Sequence, residues 1–111
     1  MTKSKITNID KEFNLLSALL YAKSKAQEQS NVDDGGTSNM DTPTIQLKGY
    51  TRAIINSAFK TAKLVPSFHG DTIFILRACE GQGYRRTAMA EAFRDAMQKL
   101  GFNAAVDYRM D

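Results

Sequence analysis

The first part of the chain carries apolar residues at helical spacing. Ile9, Phe13, Leu16 and Leu20 recur at intervals of three and four residues, which predicts an amphipathic helix. We expect this helix to pack on the rest of the protein or on a second subunit. An arm that binds a partner protein is the alternative. The stripe defines an N-terminal helical segment over residues 1–29.

Residues 30–43 lack any apolar periodicity. Asp33, Asp34 and Asp41 make the segment acidic, no lysine or arginine offsets them, and Gly, Ser and Asn fill most remaining positions. This composition is typical of a flexible linker. Since so long a connector is uncommon inside a compact domain, we expect the N-terminal helix to be an appendage to a body formed by residues 44–111.

The body alternates between the two periodicities of regular structure. Residues 44–48 alternate as a short strand does, residues 73–76 are four apolar residues in a row as in a central strand, and residues 103–110 alternate again. Two helical patterns lie between them, with apolar positions Ile54, Ile55, Ala58, Phe59, Ala62 and Val65 in the first and Met89, Phe93, Ala96, Met97 and Leu100 in the second. Pro66 ends the first helix, a turn follows, and Gly101 caps the second helix. This βαβαβ order predicts a two-layer α/β fold, with the α+β class as the alternative.

The second strand–helix unit is the first candidate for chemistry. Residues 72–100 read as a buried strand, a glycine-broken turn and a helix that opens on Arg85 and Arg86. A helix N-terminus offers unpaired N–H groups and the positive end of a dipole, and glycines let the backbone approach an anion closely. The turn therefore suits phosphate, although strand–turn–helix is also an ordinary structural unit.

The same helix entrance occurs twice in the sequence. Residues 49–52 (Gly-Tyr-Thr-Arg) match residues 83–86 (Gly-Tyr-Arg-Arg), and residues 58–62 (Ala-Phe-Lys-Thr-Ala) match residues 92–96 (Ala-Phe-Arg-Asp-Ala), both at an offset of 34 residues. The match is either a genuine internal repeat or chance added to the common pattern of amphipathic helices.

A repeat of this kind predicts one binding surface. Parallel neighbouring strands joined by right-handed crossovers put both helix N-termini at the same edge of the sheet. Arginine with interleaved tyrosine at that edge suits phosphate contacts and base stacking. The predicted nucleic-acid-binding residues are Lys48, Tyr50, Arg52, Arg77, Gln82, Tyr84, Arg85 and Arg86. The alternative is that the tyrosines brace the helices against the core and the arginines are merely solvated.

Composition narrows the class of protein without choosing its partner. A chain of 111 residues with 42% hydrophobic content is long enough for one domain with a core. The net charge of +3 permits nucleic-acid binding but does not demand it. The single cysteine cannot form an internal disulfide, and no stretch has the length of a membrane span or the apolar core of a signal peptide. We therefore expect a soluble cytoplasmic protein.

Candidates for catalysis are few and isolated. His69 is the only histidine and falls in a predicted loop, whereas a general base needs a partner and a cleft. Cys79 ends an apolar strand, and a nucleophilic thiol would need His69 beside it. No Cys/His cluster has metal-ligand spacing, and Gly81-Gln-Gly lacks the further residues of nucleotide-binding loops. We expect no enzymatic activity, no metal and no cofactor.

One stretch is similar to a known family. Ile73-Phe-Ile-Leu-Arg-Ala, followed by Gly81-Gln-Gly-Tyr-Arg-Arg, joins an aliphatic strand to a glycine-and-arginine turn that opens a helix. Through this stretch, residues 44–110 resemble the Alba family of nucleic-acid-binding proteins. The fold of that family runs strand–helix–strand–helix–strand–strand. Residues 47–50 match the first turn of the family only loosely. The resemblance implies a homodimer that grips DNA or RNA at the turns before the helices. The pattern departs from the family in lacking its fourth strand and basic hairpin arm, and the N-terminal helix and acidic linker have no counterpart there.

Two hypotheses for function follow. The first is a small dimeric protein that binds RNA or DNA, with RNA favoured, mainly through phosphates and without cutting it. The second is a protein-binding regulator or inhibitor, of the kind that phages and mobile elements encode. The short chain, its appended helix and the lack of a catalytic set fit the second hypothesis as well.

Overall fold

The computed structural model describes residues 8–110. The helices are α1 (Asn8–Gln27), α2 (Arg52–Thr61) and α3 (Gly83–Lys99), and the strands are β1 (Thr42–Gln46), β2 (Val65–His69), β3 (Thr72–Leu76) and β4 (Asn103–Asp107). All of them except β2 overlap segments that the periodicity predicts. Within the described range, none of the helices is long and apolar enough to cross a membrane.

The four strands form one antiparallel sheet in the order β2-β3-β1-β4. Thr44 in β1 lies opposite Phe74 on one side and Ala105 on the other. Helices packed with an antiparallel sheet make a small α+β fold, the alternative class of the sequence analysis. The predicted βαβαβ order is not confirmed, because β2 precedes β3. The body is instead two split β–α–β units, β1–α2–β2 and β3–α3–β4, each enclosing a strand of the other.

β2 is the strand that the pattern of apolar and polar residues does not predict. From the sequence, Val65 is predicted to lie in the first helix of residues 44–111, and Pro66 is predicted to end that helix. In the structure α2 already ends at Thr61, Leu64 is buried, and β2 pairs along its length with β3. Proline is tolerated there because β2 is an edge strand, and an edge strand can present a residue without an N–H group on its unpaired side.

A two-residue turn reverses the chain between β2 and β3. His69 lies opposite Thr72, and Gly70 between them has φ of +59°. A type II′ hairpin needs positive φ at its first turn position, which glycine adopts without steric cost. Because of this reversal, β3 runs antiparallel to β1, where the sequence analysis expected parallel neighbours.

The first helix belongs to the core and is not an appendage. Its buried side chains are Leu15, Ala18, Leu19, Ala22 and Ala26. They join one apolar cluster with side chains of the sheet and of both other helices. α1 contacts α2 and α3, whose own backbones do not meet within residues 8–110. It therefore fills the space between them.

The buried face of α1 is not the predicted one. Ile9, Phe13 and Leu20 are 81%, 65% and 47% exposed, and only Leu16 of the predicted stripe packs partly against the core. The sequence offers two apolar faces, and the face with three alanines lets the helix backbone come close to its neighbours. The expectation that this helix packs on the body is confirmed, but the helix packs through a different face, and packing on a second subunit stays a prediction.

Candidate nucleic-acid interface

The two helix entrances lie at opposite ends of the strands, which we also call the two edges of the sheet where the chain enters α2 and α3. Gln46, the last residue of β1, donates a side-chain hydrogen bond to Thr72 at the start of β3 (3.2 Å). The chain therefore enters α2 from the edge where β3 begins and enters α3 from the edge where β3 ends. The prediction of a single rim is wrong, because it rested on parallel strands. Lys48, Tyr50 and Arg52 lie at one edge, and the five other predicted residues follow β3 at the other.

At the α3 entrance, both arginines bind the chain's own loop. Arg85 Nε donates to the carbonyl oxygen of Val32 (2.9 Å), and Arg86 Nε donates to that of Asp41 (2.8 Å). Arg85 also lies 4.0 Å from the carboxylate of Asp34. The segment predicted as a flexible linker is therefore docked onto α3 by these bonds. Two charges that the prediction gave to phosphate are thus engaged inside the molecule.

The first N–H groups of α3 are covered by the same loop. Tyr84 N donates to the carbonyl oxygen of Gly35 at 2.9 Å. Gly83 has φ of +57°, and a Cβ placed on it would lie 1.9 Å from that same oxygen. Ser38 Oγ donates to the side-chain oxygen of Gln82 (2.5 Å). A main-chain carbonyl therefore takes the place of an external anion, and we call residues 32–42 with the first turn of α3 the loop junction.

The buried carboxylate of Asp41 holds the loop junction together, although the sequence predicts Asp41 only as part of an acidic linker. Asp41 is 5% exposed; one of its oxygens accepts from Thr87 Oγ1 (2.7 Å) and the other from the backbone N–H of Arg109 (2.9 Å). Asn39 donates to the carbonyl oxygen of Gly83 (3.0 Å). All of these partners are distant in sequence, so no local signal marks Asp41 as structural.

The last two predicted residues of this edge are solvent-exposed. Arg77 lies just after β3 with φ of +68°, and Tyr84 is 63% exposed. The Tyr84 ring packs against Gly36, where a Cβ would lie 2.9 Å from it. Neither side chain is near the α2 entrance.

The α2 entrance keeps three of the predicted residues together. Thr51 caps the helix by accepting from Ile54 N (3.2 Å), and the Arg52 guanidinium stacks 4.1 Å from the ring centre of Phe68. Lys11 of α1 donates to the carbonyl oxygen of Gly49 (2.7 Å) and lies 5.9 Å from the Tyr50 ring centre. Lysine, arginine and aromatic rings therefore converge at this edge.

The positive charge of this edge continues along α2. Residues 42–70 contain four Lys or Arg and no Asp or Glu. We call these four cations, all exposed, the basic α2 face: Lys48, Arg52, Lys60 and Lys63. Lys60 and Lys63 are not among the predicted binding residues; the absence of carboxylates over 29 consecutive residues is the signal that could have found them.

The residues considered for catalysis lie at opposite ends of β3. His69 pairs beside the first residue of β3, its Nε2 is 2.9 Å from Ser67 Oγ, and its ring packs edge-on to Phe74. Cys79 lies three residues beyond the other end of the strand. Burial raises the pKa of the Cys79 thiol to about 11, which the nearby Arg86 charge only partly opposes. Residues 8–110 contain no group of three side chains able to hold a metal ion.

The raised pKa predicts slow alkylation of Cys79. With a pKa of about 11 instead of 9.0, the thiolate fraction at pH 8 falls about a hundredfold. Iodoacetamide labelling of the folded chain, followed by intact mass, should be slower by that factor than labelling in urea. Its rate should then rise about tenfold per pH unit towards pH 11. Labelling of the folded chain at the urea rate would contradict the buried, protonated thiol.

Comparison with known proteins gives no further guide to function. No protein-family model, no curated protein and no solved structure matches this chain.

Proposed function

We propose that the chain is a small non-enzymatic nucleic-acid-binding protein that contacts phosphates through the basic α2 face. The observation that carries the proposal is the run of four exposed cations with no carboxylate across residues 42–70. A polyanion is the partner that such a surface fits best, because each neutralised phosphate releases a counterion.

The charges of the chain are segregated in a way that supports this location. Residues 8–41 carry six Asp or Glu and three Lys, while residues 71–110 carry six Arg or Lys and five Asp or Glu. The acidic residues of the linker lie near the arginines of α3, as the Asp34–Arg85 contact shows. The excess of positive charge is therefore left around α2, where Glu12 of α1 is a neighbouring carboxylate that accepts from Ser57 Oγ (2.7 Å). The arginine pair of α3 is not part of the proposed site.

Stacking contributes less to this proposal than the sequence analysis expected. Tyr50 is half-buried against the core, and Tyr84 lies at the other edge of the sheet. Affinity should then come mainly from phosphate contacts and fall steeply with salt. RNA remains the favoured nucleic acid in the proposal. The resemblance to the Alba family does not carry the proposal, because the order of strands and helices in the body differs from that of the family.

The test compares two double variants that remove equal charge. Arg52→Gln with Lys60→Gln removes two cations from the basic α2 face, and Arg77→Gln with Lys99→Gln removes two exposed cations elsewhere. Fluorescence anisotropy with single- and double-stranded RNA and DNA is recorded over a salt series. The α2 variant should bind about tenfold more weakly, and its salt slope should fall by about 1.4 to 1.8. The control should stay within about twofold of the parent chain.

Two results would count against the proposal. No salt-dependent binding of the parent chain to any of the four probes would remove nucleic acid as the partner. Equal weakening by both double variants would show that net charge alone matters and that α2 is not the site. Far-UV circular dichroism of each variant confirms that the fold is retained.

A further inference from the structure

The first helix presents an apolar surface that its own body leaves open. Ile9, Phe13, Leu16 and Leu20 follow one line along α1, outside the face formed by its buried residues, and we call them the α1 stripe. Leu16 also packs partly against the core. Three of the four, Ile9, Phe13 and Leu20, are exposed in the part of the chain that the structure describes. Contiguous apolar surface of this kind is a candidate for an interface.

The spacing of the stripe makes it complementary to itself. The steps from Ile9 to Leu20 are four, three and four residues, so the pattern reads the same in both directions. Two α1 helices that run antiparallel about a two-fold axis would set Ile9 against Leu20 of the second copy, and Phe13 against its Leu16. Steps of three and four are also the spacing of knobs-into-holes packing between helices. A self-complementary patch is what an isologous interface requires.

The exposed area matches what such a pair needs. Ile9, Phe13 and Leu20 together expose about two full side chains, roughly 400 Å² at ~200 Å² for each large apolar side chain. A two-fold pair counts this area twice, so complete burial of these side chains would remove at most roughly 800 Å² of apolar surface from solvent. A standard interface buries ~1,600 Å², of which a little over half, roughly 900 Å², is apolar.

The apolar surface also continues beyond the stripe. Phe13 lines a groove of about 810 Å³ together with Leu47, Leu100 and Phe102. Leu100 at its edge is 47% exposed. A second copy seated on α1 therefore meets apolar surface on this flank as well.

From these observations we infer that two copies of the chain associate through antiparallel pairing of their α1 stripes. The interface is centred between Phe13 and Leu16. The inference stands on α1 alone and does not depend on nucleic-acid binding by the basic α2 face.

Sedimentation velocity over about 1 to 200 µM protein tests the association. The parent chain should shift from monomer to dimer as its concentration rises. Phe13→Asp and Leu20→Lys, both at exposed positions, should each remain monomeric with native far-UV circular dichroism. Met110→Asp is the matched control, because Met110 is 73% exposed but lies outside the stripe, and it should dimerise like the parent chain.

Disulfide trapping tests the direction of the pair. In a Cys79→Ala background, Ile9→Cys and Leu20→Cys are prepared as separate chains and oxidised alone or mixed. Antiparallel pairing should give a disulfide-linked dimer from the mixture and little from either chain alone. Efficient linkage of Ile9→Cys to itself would indicate parallel helices and overturn the proposed geometry.

Two sedimentation results would overturn the association itself. A parent chain that stays monomeric to the highest concentration would show that the stripe is not self-complementary, as for a regulator that docks on another protein. A dimer that persists in both Phe13→Asp and Leu20→Lys would place the contact elsewhere.

Discussion

Replacing Gly83 with alanine is expected to lower the free energy of unfolding by about 3–5 kcal/mol. Two costs combine at this position. Its φ of +57° is strained for any residue with a Cβ, and the added carbon would lie 1.9 Å from the carbonyl oxygen of Gly35. That oxygen belongs to backbone that is held on α3 by further hydrogen bonds, so it cannot move away without opening the loop junction.

Gly70→Ala separates the two costs. Gly70 has φ of +59°, almost the same as Gly83, but a Cβ there would meet nothing within 4 Å. It should therefore lose only the backbone term of about 1–2 kcal/mol. Urea unfolding followed by far-UV circular dichroism measures both variants. Equal losses in the free energy of unfolding for Gly83→Ala and Gly70→Ala would mean that the loop is not in close contact with the start of α3.

Leu19→Ala is expected to cost about 2–5 kcal/mol, whereas Leu20→Ala should cost less than about 1 kcal/mol. Leu19 is fully buried between α1 and its neighbours, and its truncation leaves a cavity in the shared core. Leu20 is 47% exposed, although the sequence pattern alone favours it as the inward residue.

This pair distinguishes a core helix from an appendage. Urea unfolding at about 1 µM protein keeps association from contributing to the Leu20 result. An appended helix would leave the unfolding of the body almost unchanged by either substitution. A larger loss for Leu20→Ala than for Leu19→Ala would show that the predicted face is the buried one after all.

The loop junction changes which charges are available for a partner. Arg85 and Arg86 look, in sequence, like the strongest phosphate ligands of the chain, and both donate instead to carbonyl oxygens of the loop. The cations of α2 have no such loop over them, and its segment contains no carboxylate. This is why the proposed function keeps the class of ligand but moves the site to the α2 edge.

Local patterns were enough to locate most elements of the fold. The apolar positions of α2 and α3 repeat with the helical period, and Phe59 and Phe93, at equivalent places in the two matched segments, are both fully buried. The apolar run of β3 and the alternation of β4 likewise predict strands, because side-chain period depends only on local backbone geometry. For the same reason Lys48, Tyr50 and Arg52 could be placed together, since they are neighbours along the chain.

The sequence by itself therefore determined the three helices, three of the four strands and which helix entrances carry cations, while only the tertiary structure showed β2 and decided how these parts face one another. Pro66 looked like a helix end because nothing local shows that β2 is an edge strand. The direction of β3, and with it the separation of Arg52 from Arg86, follows from a hairpin that the sequence analysis read as a turn. α1 has two apolar faces, and the choice between them depends on how closely its alanines let it approach α2 and α3. Each of these outcomes rests on contacts between residues far apart in sequence, which periodicity does not record.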